Sequence, residues 1–256
     1  MRLFRYFVSA CLAVCASVPA HADTIVVAAA ADLKFCLDEI VADFERAEPG
    51  AKIEVVYGSS GNFSTQIEQD APFDLFFSAD SAYPEKLARA GKVREVTPYA
   101  VGRIVLWSAT RDARRMTLAD LAKPDVRRIA IANPQHAPYG QRAQQALTAA
   151  GVWYAVKDKI VYGENIAQTA TFAETGNADV GIIALSLARN PALAAKGGYA
   201  EIPADLHAPL RQAFALTARG ADKPLARRFA AYVQAPAARS VMARYGFALP
   251  DGAASP

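Results

Sequence analysis

Four short segments carry the residues best suited to chemistry. They are Ala28-Ala29-Ala30-Ala31-Asp32, Gly58-Ser59-Ser60-Gly61, Ala132-Asn133-Pro134 through Pro138-Tyr139-Gly140, and Gly163-Glu164-Asn165-Ile166. Each leads from an apolar run into a helical pattern. A helix start presents N–H groups that have no partner within the helix, together with a partial positive charge. Several such starts aimed at one point can hold an anion without any Lys or Arg. Small residues let the backbone approach closely, and Ser and Tyr add hydroxyl donors. None of the four segments has a basic side chain at its centre, a pattern that suits a fully ionised oxyanion held by neutral donors. Each segment also has a plainer reading. Gly-Ser-Ser-Gly can be a capped turn, the alanines can be close helix–strand packing, Asn133-Pro134 can simply initiate a turn, and Tyr139 can be a half-buried core residue. Their joint placement after successive strands favours a site.

Other chemistries fit poorly. His136 and His207 show no ligand spacing with Cys or carboxylates, although His136 lies just before Tyr139 and could touch a rim; a solvated histidine is expected there. Cys36 falls on a helical stretch as a buried structural thiol. Ser59 and Ser60 have no Gly-x-Ser-x-Gly elbow and no matched His. Neither a phosphate-binding P-loop nor a dinucleotide fingerprint occurs. A binding protein is therefore expected rather than an enzyme, with no cofactor. The basic cluster Arg111–Arg115 reads as a solvated loop.

The elements that must position the four segments alternate. Thr24–Ala28, Lys52–Tyr57, Leu75–Ser78, Arg103–Trp107, Ile129–Ala132, Ile160–Tyr162 and Val180–Ala184 read as strands. Helical spacing recurs at Leu37, Ile40, Val41 and Phe44, and helices are expected near Tyr83–Ala90, Thr117–Ala122, Gln141–Ala150 and Ile166–Glu174. Such alternation implies βαβ units and mixed, mostly parallel sheets flanked by helices. Leu225, Phe229 and Val233 share a face of a closing helix, and Gly246 is placed as a helix end. In an open α/β sheet, ligands bind beyond the carboxyl ends of the strands, where the four segments fall.

The beginning of the chain reads as an address. Arg2 and Arg5 precede an apolar run from Phe7 through Val18, followed by the small-x-small cleavage signal Ala20-His21-Ala22. The run is too short to span a bilayer stably. Val14 before Cys15 argues against lipidation. Residues 1–22 are thus expected to be a signal peptide, and the mature chain to begin at Asp23 in the periplasm. Removing Arg2 and Arg5 from 28 basic residues leaves 26 against 25 acidic ones, a balance that speaks against nucleic acid as a partner. Cys11 and Cys15 leave with the leader, so Cys36 has no partner for an internal disulfide.

Taken in order, these motifs resemble those of the molybdate-binding proteins of bacterial ABC importers. The resemblance covers nearly the whole mature chain. Besides the four segments, it includes Ala71-Pro72-Phe73-Asp74-Leu75-Phe76-Phe77-Ser78-Ala79-Asp80, Gly102-Arg103-Ile104-Val105-Leu106-Trp107-Ser108, Thr175-Gly176-Asn177-Ala178-Asp179-Val180-Gly181 and Tyr245-Gly246-Phe247. It implies a two-lobed periplasmic binding protein fold of type II, with a two-segment hinge. One lobe would hold residues 23–101 plus 212–256, and the other residues 102–211. It also implies capture of molybdate, with tungstate, by a monomer that delivers the ligand to a membrane permease. Rival ligands are another anion, such as sulfate or phosphate, or a ferric ion.

The family's ligand residues transfer unevenly. Ser60 matches a hydroxyl and amide donor, Tyr139 an aromatic hydroxyl donor and Ile166 a backbone N–H donor, all three meeting the molybdate itself. Ser59 and Asn165 are secondary candidates. The first turn departs from the pattern. Ala30 and Ala31 stand where the family usually has Ser, Thr or Asn, so only their amides remain. Asp32 lies within one residue of the expected contact. A carboxylate facing a dianion is repelled unless one of the two is protonated. Its expected role is therefore a helix N-cap turned away from the ligand; acceptance of a proton from a ligand such as phosphate is the alternative.

Overall fold

The structure is a computed structural model, and it describes residues 23–250. The signal-peptide expectation for residues 1–22 and the tail beyond Pro250 lie outside the described residues. Ten strands form two five-stranded sheets. They are β1 (Asp23–Ala30), β2 (Ala51–Gly58), β3 (Leu75–Ser78), β4 (Val93–Gly102), β5 (Ile104–Ser108), β6 (Ile129–Ala132), β7 (Ile160–Gly163), β8 (Val180–Ala184), β9 (Gly198–Glu201) and β10 (Leu210–Thr217). The first sheet has the order β2-β1-β3-β10-β4 and the second β7-β6-β8-β5-β9. The two orders correspond strand for strand, so each lobe repeats one plan.

Each sheet is half parallel and half antiparallel. β1 pairs parallel with β2 and β3, and β6 pairs parallel with β7 and β8. These are the βαβ units that the alternating pattern predicts. The antiparallel half comes from β10 against β3 and β4, and from β5 against β8 and β9. Sequence reading misses β4, β9 and β10, because charged or small residues, and Pro98 in β4, interrupt their apolar pattern. The chain leaves the first sheet between Gly102 and Ile104 and returns between Glu201 and Leu210. Where it crosses, β4 and β10 lie side by side, with Gln212 opposite Ala100 and Leu210 opposite Gly102.

Apolar side chains fix the helices on the sheets. Helix Lys34–Ala47 buries Cys36, Leu37, Ile40 and Phe44 on one face of the first sheet. Helix Pro224–Val233 adds Leu225, Phe229 and Val233 to the same core. Phe44, Phe77, Tyr99, Phe214 and Phe229 form a continuous aromatic cluster there, several pairs packing edge to face. The opposite face is covered by Phe63, Ile67, Phe73 and Leu87. A separate core surrounds β5, β6 and β8, and Ala30, Ala31 and Ala79 of the first lobe pack against it. The alanine turn is thus one place where the lobes touch.

Several local expectations are adjusted. The helix expected from Gln141 begins earlier, with Pro138 in its first turn, a position where the missing N–H of proline costs nothing. The stretch near Thr117 is a 3-10 helix, Leu118–Ala122, whose start is held by the Thr117 amide donating to Asp120 Oδ2 at 2.7 Å. Gly246 follows helix Pro236–Arg244 with φ +85°, the left-handed conformation that favours glycine at a helix end.

Candidate functional site

A small cavity at the carboxyl ends of the strands is lined by residues from all four segments. Ala30 ends β1 and Ala31 and Asp32 follow it; Ser59 and Ser60 follow β2, Tyr139 lies at the start of the helix after β6, and Ile166 opens the helix after β7. The topology explains this convergence. Each sheet has its switch in strand order beside β1 or β6, where successive connections leave in opposite directions and open a crevice.

Four helix starts face this crevice. Helix Ser60–Glu68 begins at Ser60, helix Pro138–Ala149 at Pro138, and helix Ile166–Glu174 at Ile166; a 3-10 turn, Ala31–Leu33, leads into helix Lys34–Ala47. Asn165 does not line the cavity; it caps its helix. Its Oδ1 accepts from the amides of Ala167 and Gln168, both at 3.0 Å. The cap does not use the amide of Ile166, one residue earlier, which lines the cavity. Ser60 is fully buried, and its Oγ accepts from the Ala79 amide at 3.0 Å, which leaves the hydroxyl proton to be donated.

Ser59 and His136 bring the two lobes together instead. Ser59 Oγ and His136 Nδ1 lie 2.9 Å apart, and the Gly61 amide donates to the His136 carbonyl at 2.9 Å. The expectation of a solvated His136 is corrected: only 18% of its side chain is exposed, because the lobes close over it. Arg142 makes a second bridge. One turn along the helix that Tyr139 opens, it donates to Asp80 Oδ2 at 2.6 Å, and both side chains are largely buried. Sequence reading does not find this pair, since nothing in either segment announces the other.

Asp32 overturns its expected role. Its side chain makes no helix cap. It sits 1% exposed, with Oδ2 accepting from the Tyr139 hydroxyl at 2.9 Å and from Gln212 Nε2 at 2.8 Å. Gln212 Nε2 also donates to Tyr139 Oη at 3.1 Å, and Gln212 Oε1 accepts from the Tyr99 hydroxyl. These four side chains join two of the four cavity turns to both crossing strands. A Cβ at Gly102 would lie 2.3 Å from Tyr139 Oη and 2.7 Å from Gln212 Nε2, so only glycine lets the network pack on the hinge backbone. Tyr139 therefore lines the cavity while directing its single hydroxyl proton at Asp32. Gln212, missed in the sequence, carries one signal: it is a buried polar residue at the front of the apolar run Ala213–Leu216.

Burial pushes the Asp32 carboxyl up to about 6, against the lowering effect of the Gln212 and Tyr139 hydrogen bonds. Burial likewise raises the Tyr139 and Tyr99 hydroxyls well above the usual phenol range, and the Cys36 thiol upward. All three are neutral at neutral pH. Among the described residues, no group of three or more His, Cys, Asp or Glu side chains is placed to hold a metal ion. Besides the Asp32 carboxyl, the cavity is lined by residues at helix starts and by Ser60, whose amides and hydroxyl suit an anion's oxygens.

The profile of the family described as bacterial extracellular solute-binding proteins matches residues 25–248. The chain belongs to this family. Among its relatives, a molybdate-binding protein ModA of Azotobacter vinelandii is 37% identical over 232 residues, 90% of this chain and 92% of that one. A molybdate-binding protein ModA of Rhodobacter capsulatus is 36% identical over 234 residues, covering 90% of each. The solved structure of the Azotobacter vinelandii periplasmic molybdate-binding protein superposes with a TM-score of 0.82 at 32% identity, over 89% of this chain and 100% of that one. Two mixed sheets with a cleft at their carboxyl ends are thus the type II architecture of a solute-binding protein. Among the described residues, no helix is long and apolar enough to cross a membrane.

Proposed function

We propose that this solute-binding protein captures molybdate, and tungstate with it, between its lobes and delivers it to the membrane permease of an ABC importer. It catalyses no reaction of the oxyanion in doing so. One observation carries the reading: residues of four helix-start turns, two from each lobe, line a single small cavity whose donors are neutral. Amides at helix starts hold an anion's oxygens without a balancing cation. The amides of Ala30, Ala31, Ser60 and Ile166 and the Ser60 hydroxyl would hold the oxyanion's oxygens. Tyr139 would close the site from the second lobe.

The rest follows from export and closure. The lobes would consist of residues 23–101 plus 212–256 and residues 102–211, hinged where β4 and β10 run together. The protein would act in the periplasm as a monomer, after loss of residues 1–22. The decisive experiment is a calorimetric panel with molybdate, tungstate, sulfate, phosphate and ferric ion. Molybdate and tungstate should bind tightly and raise the melting temperature, since a ligand that binds only the folded state stabilises it. Preferential binding of sulfate, phosphate or ferric ion would overturn the reading.

A further inference from the structure

The lopsided bonding of Asp32 is the feature that the proposed function does not use. Oδ2 takes two donors, Tyr139 and Gln212, while Oδ1 is buried with no hydrogen-bond partner. The same residue lines the cavity that the oxyanion is proposed to fill. No Lys, Arg or His is bonded to its carboxyl.

Two hydrogen bonds to one oxygen and none to the other is an arrangement that a carboxylic acid can adopt without any change of partners. The doubly accepting atom behaves as the carbonyl, and the bare atom is free to bear hydrogen. An ionised Oδ1 would instead set a bare, buried negative charge against a dianion. A proton on Oδ1 turns that repulsion into a charge-assisted hydrogen bond to a ligand oxygen.

Resting on the molybdate reading, we propose that Asp32 is a specificity residue of the cleft, whose Oδ1 shares one proton with an oxygen of the bound oxyanion, so that capture takes up one proton from water. The O–H on Oδ1 is made as solvent gives up its proton, and no other bond changes. Tyr139 and Gln212 keep their bonds to Oδ2 and fix the acid's orientation.

The groups packed around Asp32 allow this. Helix Lys34–Ala47 contributes the Cys36 thiol, β4 the Tyr99 phenol and helix Pro138–Ala149 the Tyr139 phenol, all held neutral by burial. β10 contributes the uncharged Gln212. The helical turn Leu185–Ala188 contributes Ser186, whose hydroxyl donates to the Asp32 carbonyl at 2.7 Å. The start of helix Ile166–Glu174 brings Ile166 and Ala167, which carry no charge. None of these titrates near neutrality, so the proton uptake belongs to Asp32 and its ligand. Without ligand the carboxyl titrates at about 6, which leaves it ionised at pH 7.5 but cheap to protonate.

Calorimetry of molybdate binding in buffers of different ionisation enthalpy counts the protons. At pH 7.5 the full-length mature protein should take up about one proton per molybdate, and the dissociation constant should rise about tenfold per pH unit between pH 7 and 8.5. Asp32→Asn is isosteric with the neutral acid and keeps a hydrogen to donate. It should bind with no proton uptake and a flat pH profile, more tightly than the parent at pH 8.5. Tight binding by the parent with no proton uptake would overturn the inference and leave the molybdate reading standing. Failure of molybdate and tungstate to bind the folded parent would remove the reading and the inference together. The proton count is made on the unaltered protein, so it stands even if the variant folds poorly.

Discussion

Two buried aspartates occupy opposite ends of the same sheet. Asp74 precedes β3 at the end away from the cleft, and Asp32 follows β1 at the cleft. Asp74 is 0% exposed and satisfied on both oxygens. Arg219 Nε donates to Oδ1 at 3.0 Å, while Lys223 Nζ and the Val26 amide donate to Oδ2, both at 2.9 Å. Asp32 is as deeply buried, but it has only neutral donors, and both fall on one oxygen. The charge on Asp74 is balanced by cations and ties β1, β3 and helix Pro224–Val233 into one lobe. The charge on Asp32 is left unbalanced where a ligand would arrive. A buried carboxylate is therefore informative through its partners rather than through its burial.

Removing the balanced charge should have the largest effect. Asp74→Ala strands two cations and the Val26 amide. Arg219 and Lys223 are partly exposed and can turn to solvent, so the loss should be about 3 kcal/mol, at the low end for breaking a buried pair. In a chain of this size that lowers the melting temperature by roughly 6–12 °C. Oxyanion affinity of the folded fraction should not change. An unaltered melting temperature would erase the contrast between the two sites.

Neutralising Asp32 should act in the opposite direction. Its carboxyl titrates at about 6 in the folded protein, above the ordinary value of 3.8, so the native state holds the proton more tightly than the unfolded chain. The contribution of this group to stability is therefore greatest in acid and falls as pH rises from about 4 to about 6. At pH 7.5 Asp32→Asn should stabilise the protein by up to about 3 kcal/mol, at about 1.4 kcal/mol per pKa unit. The gain should shrink through pH 6 and vanish near pH 4. Thermal denaturation across that range checks it, and a loss of stability at every pH would show that the carboxylate is needed in charged form.

Smaller effects sharpen the picture. Ser60→Ala removes a hydroxyl donor from the cleft and should weaken molybdate binding at least tenfold, since a hydrogen bond to a charged group contributes about 1.5–3 kcal/mol. It also leaves the buried Ala79 amide unpaired, for a stability loss of about 1 kcal/mol. Parent-like affinity would mean that the anion sits elsewhere. Arg219→Ala should have the least effect, below about 1 kcal/mol by chemical denaturation. Its side chain is 53% exposed, and Lys223 still balances Asp74.

Much of the scaffold was legible in the residues themselves. β3, β6, β8 and helix Ile166–Glu174 lie where apolar runs and helical spacing put them. The four turns were visible because each changes abruptly from apolar run to small or hydroxyl residues. The strands β4 and β10 were not, since charged residues and Pro98 interrupt the apolar pattern of β4, and Arg211 and Gln212 break the start of β10.

The sequence by itself determined the α/β class, the order of turns and the neutral donors at their centres. All are local properties, fixed by periodicity, residue size and backbone chemistry within a few positions. Only the tertiary structure decided what each polar side chain serves. Asp32 looked like a helix cap because sequence reports neighbours along the chain, yet it bonds to Tyr139 and Gln212, 107 and 180 positions away. His136 looked solvated because its partner Ser59 lies 77 positions earlier, in the other lobe. Hydrogen bonds at such separations leave no period in the chain. They exist only once two sheets have brought their carboxyl ends together.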